Sequence, residues 1–270
     1  MKGILRNIGV LGLACFSFLI TDETIQVVKE KDELMIEIKN VAPNYHIEAI
    51  DAKISDKYIK IGLNGLTLDI DATYNKMKRI GYFNENMLVY KNVLPNVTID
   101  NYKTKIINGN SKNEVSLIFV KPTKIDKIID TLKYNDIEAT FFINDDFYKN
   151  NFESIELAIT YKNDIGIIDD YNNLKKILDN YICYSDLIDS CTKDSKYTIE
   201  ATFEINNLKE LKEYLKPGSI ILINNSDYLD VYIKYILSKG YQITKITDFI
   251  NEEINWKYLY FKGLLYVLKK

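Results

Sequence analysis

The side chains able to do chemistry are few and mostly acidic. Asp145 and Asp146 follow the apolar stretch Ala139-Thr140-Phe141-Phe142-Ile143, and Asp164, Asp169 and Asp170 lie near the next one, Ile165-Gly166-Ile167-Ile168. Three or four carboxylates at one rim could hold magnesium, calcium or manganese, hard cations that prefer oxygen ligands. Asp145, Asp146 and Asp164 are the candidate ligands. The plainer alternative is that each aspartate caps a following helix or stands as a solvated rim charge. The chain has one histidine, His46. Zinc sites and most general-base catalysis draw on imidazole, so most routes to both are lost. His46 sits in Pro43-Asn44-Tyr45-His46-Ile47 and reads as a structural or surface loop residue. Asp51, Asp56, Asp69 and Asp71 do not match the Asp-x-Asp-x-Asp-Gly spacing of a calcium loop and read as turn and capping residues. There is no glycine-rich phosphate loop, nucleophile elbow or Cys-x-x-Cys pair.

Cys183 and Cys191 stand eight positions apart. In an exported chain they can form a disulfide, worth about 2–3 kcal/mol for so short a loop. The alternative is two buried thiols packing as small apolar groups. The net charge of -3 and a pI near 5.5 give no electrostatic reason to expect nucleic acid. The 21 tyrosines accompany heavy use of Lys, Asn and Ile, which reads as compositional bias and not as an aromatic binding surface.

Several elements must position these side chains. Val115, Leu117 and Phe119 alternate in a run apolar enough to be buried on both faces. Ile125, Ile128, Ile129 and Leu132 recur at helical spacing, and Ala139–Ile143 is the next strand. Strand, crossover helix and strand make a right-handed βαβ unit. Upstream, Met1–Ile20 is a targeting segment. Lys2 and Arg6 precede the apolar run Ile8–Ile20, an order that keeps the N-terminus inside and exports the rest. An uncleaved signal anchor is expected, which gives a single-pass membrane protein with an extracellular domain. Cleavage, hence secretion, and lipidation at Cys15 are the alternatives. The expected domains are residues 1–22 (anchor or signal peptide), 23–110 (a small α+β domain) and 111–270. Within the second, Gln26–Lys29, Glu33–Ile38, Lys57–Gly65 and Met87–Tyr90 read as strands. Asp69 or Asp71 caps a helix over Ala72–Ile80, and Gly81 suits its C′ position. Asn101–Asn113 reads as a polar linker. The end of the chain, 255–270, mixes aromatic and basic residues. It reads as a membrane-surface element or as a terminal hairpin turning at Lys262-Gly263.

Lys133-Tyr134-Asn135-Asp136-Ile137-Glu138-Ala139-Thr140-Phe141-Phe142-Ile143 resembles the second strand region of the NodB-type polysaccharide deacetylases, carbohydrate esterase family 4. The resemblance covers about 114–250 and implies an α/β fold, a distorted (β/α) barrel whose site lies at the C-terminal ends of the strands. Gly62-Leu63-Asn64-Gly65, with Tyr74 and Met77, resembles the small region that precedes this domain in some exported members. Where the family's TFDDG motif has a catalytic base and a metal ligand, this chain has Val120 and Lys121. Ile155–Asn163 matches the HTYSH motif through Thr160 and Tyr161, with Ile159 and Asn163 at the two histidine positions. Tyr181–Asp186 matches RPPYG without the arginine. Gly218-Ser219-Ile220-Ile221-Leu222-Ile223-Asn224-Asn225 matches GSIILLHD, with Asn224 in place of the general-acid histidine. Asn does not exchange a proton near neutral pH. Tyr161, Tyr184, Asn224 and Asn225 are then the substrate-binding candidates. With the exported, membrane-anchored topology read from the N-terminal segment, the resemblance thus implies a catalytically inactive relative that needs no cofactor and binds cell-wall glycan or an envelope protein. The alternative is a divergent metal-dependent N-deacetylase with a divalent ion on Asp145, Asp146 and Asp164.

Overall fold

The computed structural model describes residues 29, 31–55, 59–101, 105–109, 112–169, 172–178, 182–184, 195 and 197–253. Met1–Ile20 and 255–270 therefore lie outside the described residues, as do Asp56, Asp170 and Cys191. Among the described residues no helix is long and apolar enough to cross a membrane. The strands along the chain are β1 (Lys53–Ile54), β2 (Ile59–Lys60), β3 (Gly65–Leu68), β4 (Tyr90–Val93), β5 (Lys105–Asn108), β6 (Glu114–Val120) and β7 (Thr140–Ile143). They continue as β8 (Asp164–Ile167), β9 (Ile182–Tyr184), β10 (Tyr197–Ile199), β11 (Phe203–Ile205), β12 (Ile220–Ile223) and β13 (Gln242–Ile243).

The larger compact unit holds Ala49–Asn64 and Leu94–Glu253. Its sheet runs β1-β2-β5-β10-β9-β8-β7-β6-β12-β11, with β13 on β6. All pairings are parallel except β1 with β2. The expected βαβ unit is present as β6, the helix Ile125–Tyr134 and β7. Strand alternation sends side chains to two cores. Leu117, Phe119, Phe141 and Ile143 pack outward with Ile128, Ile129 and Leu132 of that helix. Ile118, Phe142, Ile182, Tyr184 and Leu222 pack inward with Ile246 and Phe249. Both faces are apolar, so the strands read as near-continuous hydrophobic runs. Gly166 is required inside this second core, because a Cβ there would stand 2.4 Å from the Phe142 ring.

The smaller unit includes the described residues up to Glu48 and Gly65–Val93. Here Glu33–Val41 is a helix and not the strand expected of Glu33–Ile38. Leu34, Met35 and Ile38 are buried while Ile36 is 44% exposed, the spacing of a helix face rather than strand alternation. Asp32 caps this helix by accepting from Leu34 N–H at 2.9 Å. Asp69 caps the helix Ile70–Met77 through Ala72 N–H at 2.9 Å, and Asp71 pairs with Lys29 instead. Gly81 adopts φ +74 and donates to the Met77 carbonyl, but the helix ends at Met77 with its C-cap at Lys78, so the glycine closes the turn after the helix and does not occupy the expected C′ position. The strand expected at Met87–Tyr90 falls later, at β4, which pairs antiparallel with β3.

Asn101–Asn113 is not a linker along its length. Lys105–Asn108 is β5, parallel to both β10 and β2, and Ile106 is buried there. The residues of 49–64 and 94–109 thus group with the larger unit, and the division differs from a cut at residue 110.

Candidate functional site

In a parallel sheet the C-terminal strand ends form one rim, where ligands usually bind. The inward residues at these ends are Val120 at the end of β6, Ile168 after β8, Tyr184 on β9 and Leu222 on β12. They are apolar or aromatic, and they fill the space between the strands. Tyr184 is 3% exposed, its ring tilted against Phe142 at 5.3 Å. It is a core residue and offers no contact to a substrate.

Polar groups stand at the lip. Lys121 and Asp169 end β6 and β8, and Lys121 Nζ lies 2.8 Å from Asp169 Oδ2. Both residues have positive φ, 41 and 54. The other non-glycine residues of this kind, Asp136 and Lys162, follow helices, where a left-handed cap is ordinary. At strand ends the conformation redirects the chain and turns both side chains toward each other. Asn224 donates from Nδ2 to Glu204 Oε2 at 2.9 Å. Asn225 is occupied as a cap, accepting from Asp227 N–H. Asp227 in turn is held below the usual carboxylate range by hydrogen bonds from Lys124 and Lys127.

Tyr161 and the motif assigned to Ile155–Asn163 lie at the other end of the sheet. They precede β8, as Ile159 on the exposed face of the helix Phe152–Thr160 does. Tyr161 bonds Lys133, whose Nζ stands 4.3 Å from the ring centroid. Asn163 is buried, accepts from Ala139 N–H at 2.9 Å and donates to the Ala158 carbonyl at 3.0 Å. It staples a helix to β7. The rim positions that follow β8 are Ile168 and Asp169, so Thr160-Tyr161, which precede β8, do not stand at the rim.

The three candidate metal ligands do not converge. Asp145 Oδ1 accepts from Leu174 N–H at 2.9 Å and Oδ2 from Asn173 N–H at 2.8 Å, capping the helix Leu174–Ile177. Asp146 is exposed on the first turn of Asp145–Asn150. Asp164 begins β8 opposite Thr140, the first residue of β7. It is therefore roughly 15 Å along the strand direction from Asp145, at ~3.3 Å per residue. Asp164 accepts from Thr247 N–H at 2.8 Å, and burial raises its pKa. Among the described residues no three His, Cys, Asp or Glu side chains are grouped to hold a metal ion. At the lip itself an ammonium and an aliphatic side chain flank Asp169, a donor set that does not fit a divalent cation. His46 is exposed after a short 3-10 turn, and Asp51 accepts from Asn96 and Val97 N–H as a turn residue. Cys183 is buried and disulfide-bonded, and its proposed partner Cys191 lies outside the described residues.

Solved structures share this arrangement of strands. BA3943, a carbohydrate esterase family 4 pseudoenzyme from Bacillus anthracis, superposes with a TM-score of 0.63 at 22% identity, over 83% of this chain and 97% of that chain. The larger unit has the NodB-type fold. A BA3943 mutant with restored enzymatic activity also gives a TM-score of 0.63, at 23% identity over 83% and 100% of the two chains. At such identities the likeness is one of fold. Protein YlxY of Bacillus subtilis (strain 168), itself uncharacterized, is 29% identical over 150 residues. These are 53% of this chain and 47% of YlxY, so the chain spans about half the length of the curated relative it matches. No family model matches the chain. The NodB-type fold explains the placement of Val120, Lys121 and Asn224 at the strand ends. Sequence reading missed Asp169 and Glu204 as the partners of the last two, although Glu204 between Phe203 and Ile205 shows strand alternation.

Proposed function

We propose that the protein is an exported, membrane-anchored NodB-type protein without deacetylase activity, which binds cell-wall glycan. The observation that carries the reading is the lip of the sheet. Val120, Lys121, Ile168 and Asn224 stand where the fold would need a base, cation ligands and an acid, and Lys121 and Asn224 are paired to Asp169 and Glu204. The Lys121 ammonium, 2.8 Å from the Asp169 carboxylate, opposes capture of a divalent ion there. The export and anchoring part rests on Lys2, Arg6 and the apolar run Ile8–Ile20.

The test is acetate release from N-acetylglucosamine oligomers by the full chain, with and without zinc or manganese, beside retention on purified wall glycan. No acetate above the buffer rate together with saturable retention is expected. Metal-dependent acetate release overturns the inactive reading, and an envelope protein captured in place of glycan overturns the ligand. The carboxylate-metal enzyme has no observation in its favour, since Asp164 stands at the opposite sheet end from Asp145 and Asp146.

A further inference from the structure

Away from the lip, at the N-terminal ends of β9 and β10, the larger unit has an open cleft of about 670 Å³. A volume of this size suits a small ligand or part of a chain. Leu94, 72% exposed, gives it apolar surface, and the nearly buried Ile99, Ile182 and Ile250 also line it. Asn64, Thr98, Thr247 and Asn251 add amides and hydroxyls around this surface. Tyr197 also faces it, its hydroxyl donating to Asp100 Oδ1 at 2.6 Å. Glu252 is anchored by one oxygen only: Oε1 accepts from Gly62 and Ile99 N–H, both at 3.3 Å. Among the described residues no lysine or arginine lines the cleft, and the Lys112 ammonium is turned to the Glu253 backbone carbonyl. Burial raises the Glu252 pKa against the two backbone hydrogen bonds, and the Asp100 charge adds a smaller rise.

We propose that this cleft binds a saccharide carrying a free amine. Apolar surface faces the C–H side of a sugar ring, amides and hydroxyls meet its hydroxyl groups, and Asp100 and Glu252 meet an ammonium. The inference rests on the glycan reading above and assigns it a second site, on the opposite end of the sheet from the lip. An N-acetylated sugar presents a neutral, bulkier amide to the same carboxylates and binds less well. The preference is a charge-assisted hydrogen bond, about tenfold in affinity or more.

The test titrates the full chain by calorimetry with glucosamine oligomers and, separately, with N-acetylglucosamine oligomers. The amine oligomer is expected to bind about tenfold tighter. Asp100→Asn and Glu252→Gln should each remove that preference, while Asp230→Asn, a carboxylate paired with Lys234 and outside the cleft lining, leaves it unchanged. Asp100 is exposed and bonded to one tyrosine, so Asp100→Asn stays informative where Glu252→Gln fails to fold. Equal affinity for both oligomers, or a preference lost through Asp230→Asn, overturns this inference and leaves the glycan reading standing. No binding of either oligomer, and no retention on wall glycan, overturns the glycan reading as well.

Discussion

The two ends of the parallel sheet use the same residue types in different ways. At the C-terminal end, two lip pairs join side chain to side chain, Lys121 to Asp169 and Asn224 to Glu204, beside the capping residues Asp145 and Asn225. At the N-terminal end such residues bond to the main chain. Asn163 holds Ala139 and Ala158, Asp164 holds Thr247, Thr140 Oγ1 accepts from Ile246 N–H, and Lys245 donates to the Lys162 carbonyl. Buried backbone groups must be satisfied, so the second set is part of the fold. Exposed side-chain pairs contribute little to stability, so the first set could change its chemistry without unfolding the protein. The difference locates where side chains can be exchanged at little cost to the fold.

Substitutions at the two ends sharpen that contrast. The largest effect is expected for Asn163→Ala, which leaves the Ala139 N–H and the Ala158 carbonyl without a side-chain partner. A loss of about 2–3 kcal/mol by denaturant unfolding is expected, and an unchanged midpoint would break the comparison. Asp145→Ala removes the cap of Leu174–Ile177 and should cost about 1–2 kcal/mol. It should leave divalent metal affinity as it was, which a titration of both proteins checks. Lys121→Ala removes a pair whose side chains are 38% and 56% exposed. It should change the unfolding midpoint by less than about 1 kcal/mol, and less still at high salt.

Asp164 adds a pH test. Burial raises its folded pKa above the unfolded value, so the folded state binds the proton more tightly. Its contribution is most favourable at low pH and is lost as pH rises through the carboxylate range. Melting temperatures of Asp164→Asn and of the parent chain should therefore diverge in favour of the variant as pH is raised from about 4 to 7. A constant gap would mean that the carboxylate is not desolvated.

How far these positions could be read in advance depended on the residues. β6 and β7 were legible because Val115–Phe119 and Ala139–Ile143 are apolar on both faces, as strands covered on both sides must be. Lys121 and Asn224 were legible because each directly follows such a run. The helix Glu33–Val41 was not: Leu34, Ile36 and Ile38 mimic strand alternation, and only the cap at Asp32 and the burial of Met35 settle the period. β5 was hidden inside a polar stretch, since two isoleucines among Lys and Asn carry little pattern. Asp164 was grouped with Asp145 and Asp146 because all three flank strands. In parallel strands the flank decides the end: a residue before a strand and one after its neighbour lie on opposite sides of the sheet. Thr160-Tyr161 misplaced the histidine positions for the same reason, falling before β8 where the lip requires residues after it.

The most direct test of the account is calorimetric titration of the purified chain with zinc, manganese, magnesium and calcium in turn. The account predicts no saturable heat for any of them, because the lip offers Lys121, Ile168 and Asn224 around a carboxylate already paired. Stoichiometric binding that disappears in Asp169→Ala would place a cation at the lip and contradict it.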